Sequence, residues 1–138
     1  MILVDTSAWV EYLRRTESGA DQTVEHLLES GELLATTETV MMEILAGARD
    51  ERHAGELRRF LLSLDYRPLV GLADFEQAAS IYRICRRGGD TVRSLADCLI
   101  AAVALREGLS ILAYDRDFEA IARHTGIELH SNRGAGPA

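Results

Sequence analysis

The sequence predicts an α/β fold built on a parallel sheet that is covered on both faces. Three observations carry this. The apolar runs MILVD (1–5) and LSILAYD (109–115) are each too short for a helix, and each closes on an acid. The stretches between the strand candidates repeat their apolar residues at helical spacing. Gly31, Gly88, Gly89 and Gly108 punctuate these stretches where helices would have to stop. Strands that alternate with helices imply parallel pairing with helices on both sides.

Residues 1–5 read as a short buried strand. Residues 7–15 continue as a helix with Trp9, Val10 and Leu13 on one face. A second helix covers about 21–30 through Val24, Leu27 and Leu28, and ELLAT (32–36) is a short strand. Thr37 or Thr39 can cap a helix running to Ala48. A helix over 51–64 repeats Leu57, Phe60, Leu61 and Leu64, and YRPLV (66–70) is a strand candidate. Residues 74–87 form a helix presenting Phe75, Ala78, Ala79, Ile81 and Tyr82. After the break at Gly88 and Gly89, a helix from about 92 to 107 leads into the strand at 109–115. A short helix follows over 116–124, and residues 127–129 form a last edge strand. The whole is expected to be one domain, 1–130, with SNRGAGPA (131–138) as a flexible tail.

Composition narrows the function classes. With 138 residues, 47% apolar and two prolines, the chain can bury a full core. No apolar run approaches the ~20 residues of a membrane span, and the N-terminus lacks the basic start of a signal peptide, so the cytoplasm is the expected location. Cys85 and Cys98 lie within helical patterns and form no CxxC pair, which reads as two buried thiols. The net charge of -7 argues against a generic nucleic-acid clamp. All 15 basic residues are arginine, which excludes chemistry that needs a lysine amine.

The informative residues are acids in apolar company. Asp5 closes MILVD, and Asp115 closes SILAYD in the same manner. Glu43 sits in VMMEILAGA, and Asp97 is the only charge in LADCLIAAVAL. Singly, each has an ordinary reading: Asp5 can cap the helix after it, and Asp97 can sit in a first helical turn with Arg93 as its ion-pair partner. Together they point elsewhere. Asp5 and Asp115 project to the C-terminal edge of a parallel sheet, where ligands bind in open α/β folds. Glu43 and Asp97 can reach that edge from helices. Four converging carboxylates repel one another unless protonated or bound to a cation. Oxygen donors alone select Mg²⁺ or Mn²⁺, one or two ions, and the four histidines have no HxxH or HxH spacing. Such sites serve phosphoryl chemistry.

The stretches ILVDTSAWVEYL, ETVMMEILAGAR, TVRSLADCLIAAVAL and ILAYDRDFEAIAR, in this order, resemble a PIN domain, and more narrowly the VapC toxins of bacterial toxin–antitoxin pairs. The resemblance runs from residue 1 to about 130. It implies a three-layer α/β/α sandwich with a central parallel sheet. It also implies an Mg²⁺- or Mn²⁺-dependent endoribonuclease that uses metal-activated water and leaves a 5′-phosphate and a 3′-hydroxyl. The family's metal and catalytic roles fall on Asp5, Glu43, Asp97 and Asp115, with Glu43 a ligand or acting through water. Asp117 is a supporting residue or the cap of the final helix. Thr6 supports the site or caps its helix, and Ser94 orients Asp97 or caps its helix. Ser7 and Arg93 lie beside the acids.

Arg49, Arg52, Arg86, Arg87, Arg93 and Arg116 are candidates for phosphate contact, each also readable as a solvated charge. The resemblance further implies an RNA substrate, a small cognate antitoxin that places an arginine by the acids, and a homodimer. Trp9, Tyr12, Leu13, Val24, Leu27 and Leu28 look over-supplied for an internal role and are assigned in part to the antitoxin groove. A receiver domain would need a lysine, and a haloacid-dehalogenase-type phosphatase would need an acid where Ser7 stands. A housekeeping RNA-processing enzyme, a structure-specific DNA nuclease or a binding-only scaffold of the same fold remain as alternatives.

Overall fold

The structure is a computed structural model that describes residues 1–132. Its elements alternate as the sequence predicts: β1 (Ile2–Val4), α1 (Thr6–Leu13), α2 (Gly19–Glu29), β2 (Leu34–Thr36), α3 (Glu38–Ala46), α4 (Glu51–Leu62), β3 (Asp65–Tyr66), α5 (Gly71–Arg87), α6 (Leu95–Glu107), β4 (Ser110–Leu112) and α7 (Arg116–Thr125). The four strands form one sheet in the order β3-β2-β1-β4. Every pairing is parallel, with Ile2 opposite both Leu34 and Ser110. Successive residues of a strand point to opposite faces, yet every residue of β1 and β2 is buried. Helices therefore cover both faces, which makes the α/β/α sandwich.

The helices show why this sequence settles there. In α6 the run Ile100–Ala104 is buried without interruption, so the middle of the helix is enclosed on all sides. Across the molecule, α1 packs on α2, α3 on α4, and α5 on both α6 and α7. Trp9 is fully buried and meets Tyr12 and Phe60 edge-on, at centroid distances of 6.0 and 5.3 Å. Asp74, buried in α5, is gripped at 3.0 and 2.9 Å by both arms of Arg106 from α6 and accepts the Val70 amide at 2.7 Å. Arg106 lies beside Asp74 and holds its carboxyl below the usual range. At the end of α5, Gly88 lies against the His124 ring, where a Cβ would come within 2.2 Å of the ring. His124 in turn bonds Asp90 at 2.8 Å.

Several expectations need correction. The strand at 66–70 is only Asp65–Tyr66: Pro68 has no N–H to give the ladder, and the Leu69 amide turns to the Glu38 carboxylate. The edge strand at 127–129 reduces to an isolated bridge between Ile111 and Leu129. Helix α5 starts at Gly71, and its Phe75 faces solvent at 53% exposure. Helix α6 starts at Leu95 rather than 92. Trp9, Val24 and Leu27 are core residues, and Tyr12 and Leu28 pack against the core. Of the six residues assigned in part to an antitoxin groove, only Leu13 is exposed, because α1 and α2 bury their large side chains between themselves and the sheet. Of the tail expected at 131–138, Asn132 donates to the Ala113 carbonyl at 2.9 Å, and residues 133–138 lie outside the described residues. Among the described residues, no helix is long and apolar enough to cross a membrane.

Candidate metal centre

Strand β1 has β2 on one side and β4 on the other, so the chain's winding reverses between β1 and β4. A crevice opens at the strand ends at such a point. Asp5 stands directly after β1, with its amide donating to the Leu112 carbonyl of β4 at 2.8 Å. It also caps α1. Its Oδ2 accepts the Ser7 amide at 2.9 Å and the Ser7 hydroxyl at 2.5 Å. The Ser7 hydroxyl in turn accepts the Tyr114 amide at 2.8 Å, so one serine ties the ends of two strands to one carboxylate. The other oxygen of Asp5, Oδ1, is buried without a partner. Burial pushes the carboxyl up to about 6, with the Glu43 charge adding to the effect and the Ser7 hydrogen bonds opposing it.

Asp97 occupies the first turn of α6 and is 5% exposed. Its Oδ2 is likewise buried and unpartnered. Burial first, then the charges of Asp5, Asp115 and Asp117, push this carboxyl up to about 8. Asp115 caps α7 by accepting the Asp117 amide at 3.0 Å, and the buried Asp117 accepts the Arg93 amide at 3.0 Å. Oxygens of Asp97, Asp115 and Asp117 all lie within 4.8 Å of one another. Glu43 stands at the rim, half-buried, held by the Thr6 hydroxyl at 2.9 Å.

The donor set fits a hard divalent cation. Two buried carboxylate oxygens have no hydrogen bond, three carboxylates share one small space, and no nitrogen or sulfur donor is among them. Arg93, largely exposed, is the only cation paired with the cluster among the described residues, at 3.6 Å from Asp115 and from Asp117. Asp97, Asp115 and Asp117 would hold an ion, with Asp5 facing it and Glu43 at the edge.

Each predicted residue can now be placed. Asp5, Asp97 and Asp115 converge, and Glu43 reaches the same crevice through Thr6. Asp115 does not end its strand: β4 stops at Leu112, and Asp115 is the helix cap, one of the two roles expected of Asp117. Asp117 is instead a full member of the cluster. Arg93 pairs with Asp115 and Asp117 rather than with Asp97. Thr6 is not a cap, since Asp5 fills that position. Ser94 stands at the cap position of α6, yet its side chain makes no capping bond. Ser7 carries more of the site than its sequence position suggested. The DTS spacing, an acid two residues before a hydroxyl at a strand-to-helix junction, was the signal for it.

The family profile described as PIN domain matches residues 2–124 of this chain. The chain belongs to the PIN-domain family. Within the family, this PIN domain is 48% identical over 134 residues to the VapC ribonuclease Mb1587 of Mycobacterium bovis, covering 96% of this chain and 100% of the relative. It is 32% identical to ribonuclease VapC51 of Mycobacterium tuberculosis, over 90% of this chain and 87% of that one. VapC20 of Mycobacterium tuberculosis, described as a sarcin-ricin loop cleaving toxin, superposes with a TM-score of 0.66 at 26% identity, covering 87% and 94% of the two chains. A DNA-bound VapBC complex from Salmonella typhimurium superposes at 0.72 and 21% identity, over 94% of this PIN domain and 96% of that chain, which shows the shared fold.

Proposed function

We propose that this PIN domain is a Mg²⁺- or Mn²⁺-dependent endoribonuclease and the toxin of a toxin–antitoxin pair, acting on RNA in the cytoplasm. The observation that carries the reading is the convergence of Asp97, Asp115 and Asp117 beside the unpartnered oxygen of Asp5 at the reversal point of the sheet. The ribonuclease names of the relatives and the VapBC complexes among the similar structures support it.

The chain's own residues divide the work. Asp97, Asp115 and Asp117 would hold the ion, and Ser7 fixes Asp5 toward it through one oxygen while leaving the other free. A bound divalent cation supplies a more acidic water and charge neutralisation at the scissile phosphate. Glu43, held by the Thr6 hydroxyl, would act at the rim of the centre as a ligand or through a bound water. The low-polarity surroundings of Asp5 and Asp97 strengthen every electrostatic contact made there. No side chain need act as a covalent nucleophile, and the expected products carry a 5′-phosphate and a 3′-hydroxyl.

The test is cleavage of a panel of transfer and ribosomal RNAs by the purified protein. Cleavage is expected to stop in chelator and return with Mn²⁺ or Mg²⁺ but not Ca²⁺. Chelator-resistant cleavage would overturn the metal assignment. Expression alone is expected to arrest growth, and co-expression with an adjacent small gene to restore it. A harmless protein with no binding neighbour would return the reading to a housekeeping nuclease.

A further inference from the structure

The carboxylates of the centre differ in what aims them. Asp5 is held by Ser7, two residues on, and Asp115 by the amide of Asp117 on the helix it caps. Asp117 is aimed from outside its own helix. Its Oδ2 accepts the Arg93 amide at 3.0 Å, and its Oδ1 faces the Arg93 guanidinium at 3.6 Å. Arg93 lies on the loop that joins α5 to α6, residues 88–94. The direction of Asp117 therefore depends on where that loop lies.

The loop has a second anchor on α7, at the other end of the helix. Asp90 Oδ2 meets His124 Nε2 at 2.8 Å and accepts an Arg123 guanidinium N–H at 3.1 Å. His124 first, then Arg123, hold the Asp90 carboxyl below the usual range. An ionised carboxylate only accepts, so Nε2 carries the hydrogen of their bond. The Asp90 amide donates to the Cys85 carbonyl of α5 at 2.9 Å. Gly88, which ends α5, leaves room for the imidazole, since a Cβ there would collide with the ring. Glycine at 88 and an acid at 90 are thus both fitted to His124. From Asp90 to Arg93 an extended chain spans about 10 Å, and α7 rises by about 10 Å from Asp117 to His124. The loop runs antiparallel to the helix with its length matched to both anchors, and Val92 between them is buried. As a plain surface ion pair the clasp would contribute little to stability, with Arg123 58% and Asp90 35% exposed.

We propose that Asp90 and His124 are positioning residues of the metal centre: by clasping the α5–α6 loop to the far end of α7, they fix the Arg93 amide that aims Asp117 at the ion. The inference rests on the reading of Asp117 as a metal ligand. Groups that orient metal ligands from outside commonly govern affinity by tenfold or more. The clasp does so from a place that touches neither ion nor substrate.

The test titrates Mn²⁺ without RNA, following the paramagnetic resonance of the free ion, beside melting temperatures in chelator. Asp90→Ala and His124→Ala are expected to bind Mn²⁺ about tenfold more weakly while melting in chelator close to wild type. His124→Gln keeps an N–H within reach of Asp90 and is expected to restore the affinity. Gly88→Ala keeps both partners but displaces the ring, and is expected to weaken binding as His124→Ala does. If His124→Ala fails to fold, the contrast between His124→Gln and Gly88→Ala decides in its place. In an Asp117→Asn background, adding Asp90→Ala is expected to cost no further affinity, because the clasp acts through Asp117. A fully additive loss would make the clasp a general support and overturn the proposal. Wild-type affinity in both His124→Ala and Gly88→Ala would overturn it too, leaving the metal centre as described. If the wild type itself binds no Mn²⁺, the reading of the centre fails and takes the proposal with it.

Discussion

Replacing Asp97 with asparagine is expected to stabilise the metal-free protein while abolishing its response to metal. The Asp97 carboxyl is held at about 8 in the folded chain against an ordinary 3.8. The fold therefore binds this proton more tightly than the unfolded chain does. Between those two values stability falls as pH rises, because the folded protein holds the extra proton and must give it up. At ~1.4 kcal/mol for each tenfold change in proton affinity, the cost above pH 8 is at most about 6 kcal/mol, and below the ordinary carboxyl range it vanishes. Asp5, itself raised to about 6, shares the repulsion and keeps part of the cost. Asp97→Asn is thus expected to gain roughly 2–5 kcal/mol above pH 8 and almost nothing at the acid end. Urea titrations in chelator across this pH range measure the difference directly. In Mn²⁺ the order is expected to reverse, since the wild type gains binding energy that the variant lacks. A variant that is less stable than wild type in chelator above pH 8, or a difference that does not change with pH, would refute the reading of Asp97 as a carboxylate strained by its neighbours.

Metal affinity of the wild type, followed by thermal shift against free Mn²⁺, is expected to rise from pH 6 toward pH 8 as Asp5 and Asp97 no longer have protons to lose; a flat profile would place the ion elsewhere. Thr6→Val is expected to cost about 1 kcal/mol in stability and to slow cleavage by an order of magnitude, since it frees Glu43 without touching an acid. Asp117→Asn is expected to weaken Mn²⁺ binding as much as Asp115→Asn does; wild-type affinity would remove Asp117 from the ligand set. Arg106→Met leaves Asp74 buried and unpaired, and denaturant unfolding is expected to show a loss of about 2–3 kcal/mol.

The order of elements was legible because their periods differ: strands of two or three residues between helices, several of them stopped by glycine, leave little choice of topology. The sequence also marked four of the acids, because an isolated charge in an apolar run has few uses. Geometry at element ends was less accessible. A strand is predicted from apolar content, but its last residue depends on which amides find a ladder partner. Pro68 removed one in β3, and Leu112 is the last β4 residue in the ladder, three before the acid. That shift gives the cap role to Asp115 and leaves Asp117, for which both a cap and a supporting role were open, in the cluster. Ser7 and Thr6 sit in one short segment, yet one serves Asp5 and the other serves Glu43 on a distant helix. Only the packing of α1 beside α3 assigns them. The large residues of α1 and α2 misled for the opposite reason: apolar bulk shows that something will be covered, not what covers it.

Trp9 is the chain's sole tryptophan, enclosed in the core four residues after Asp5 and on the helix that Asp5 caps. Its emission therefore comes from one site and needs no label. The indole N–H has no acceptor in the core, so the folded protein is expected to fluoresce far to the blue and to shift red as a single signal when α1 leaves the sheet. Tyr12 and Phe60 press on the ring at its edges, so a change in the pitch of α1 would alter quenching before it altered exposure. Release of α1 from the sheet can thus be watched optically, from inside the molecule.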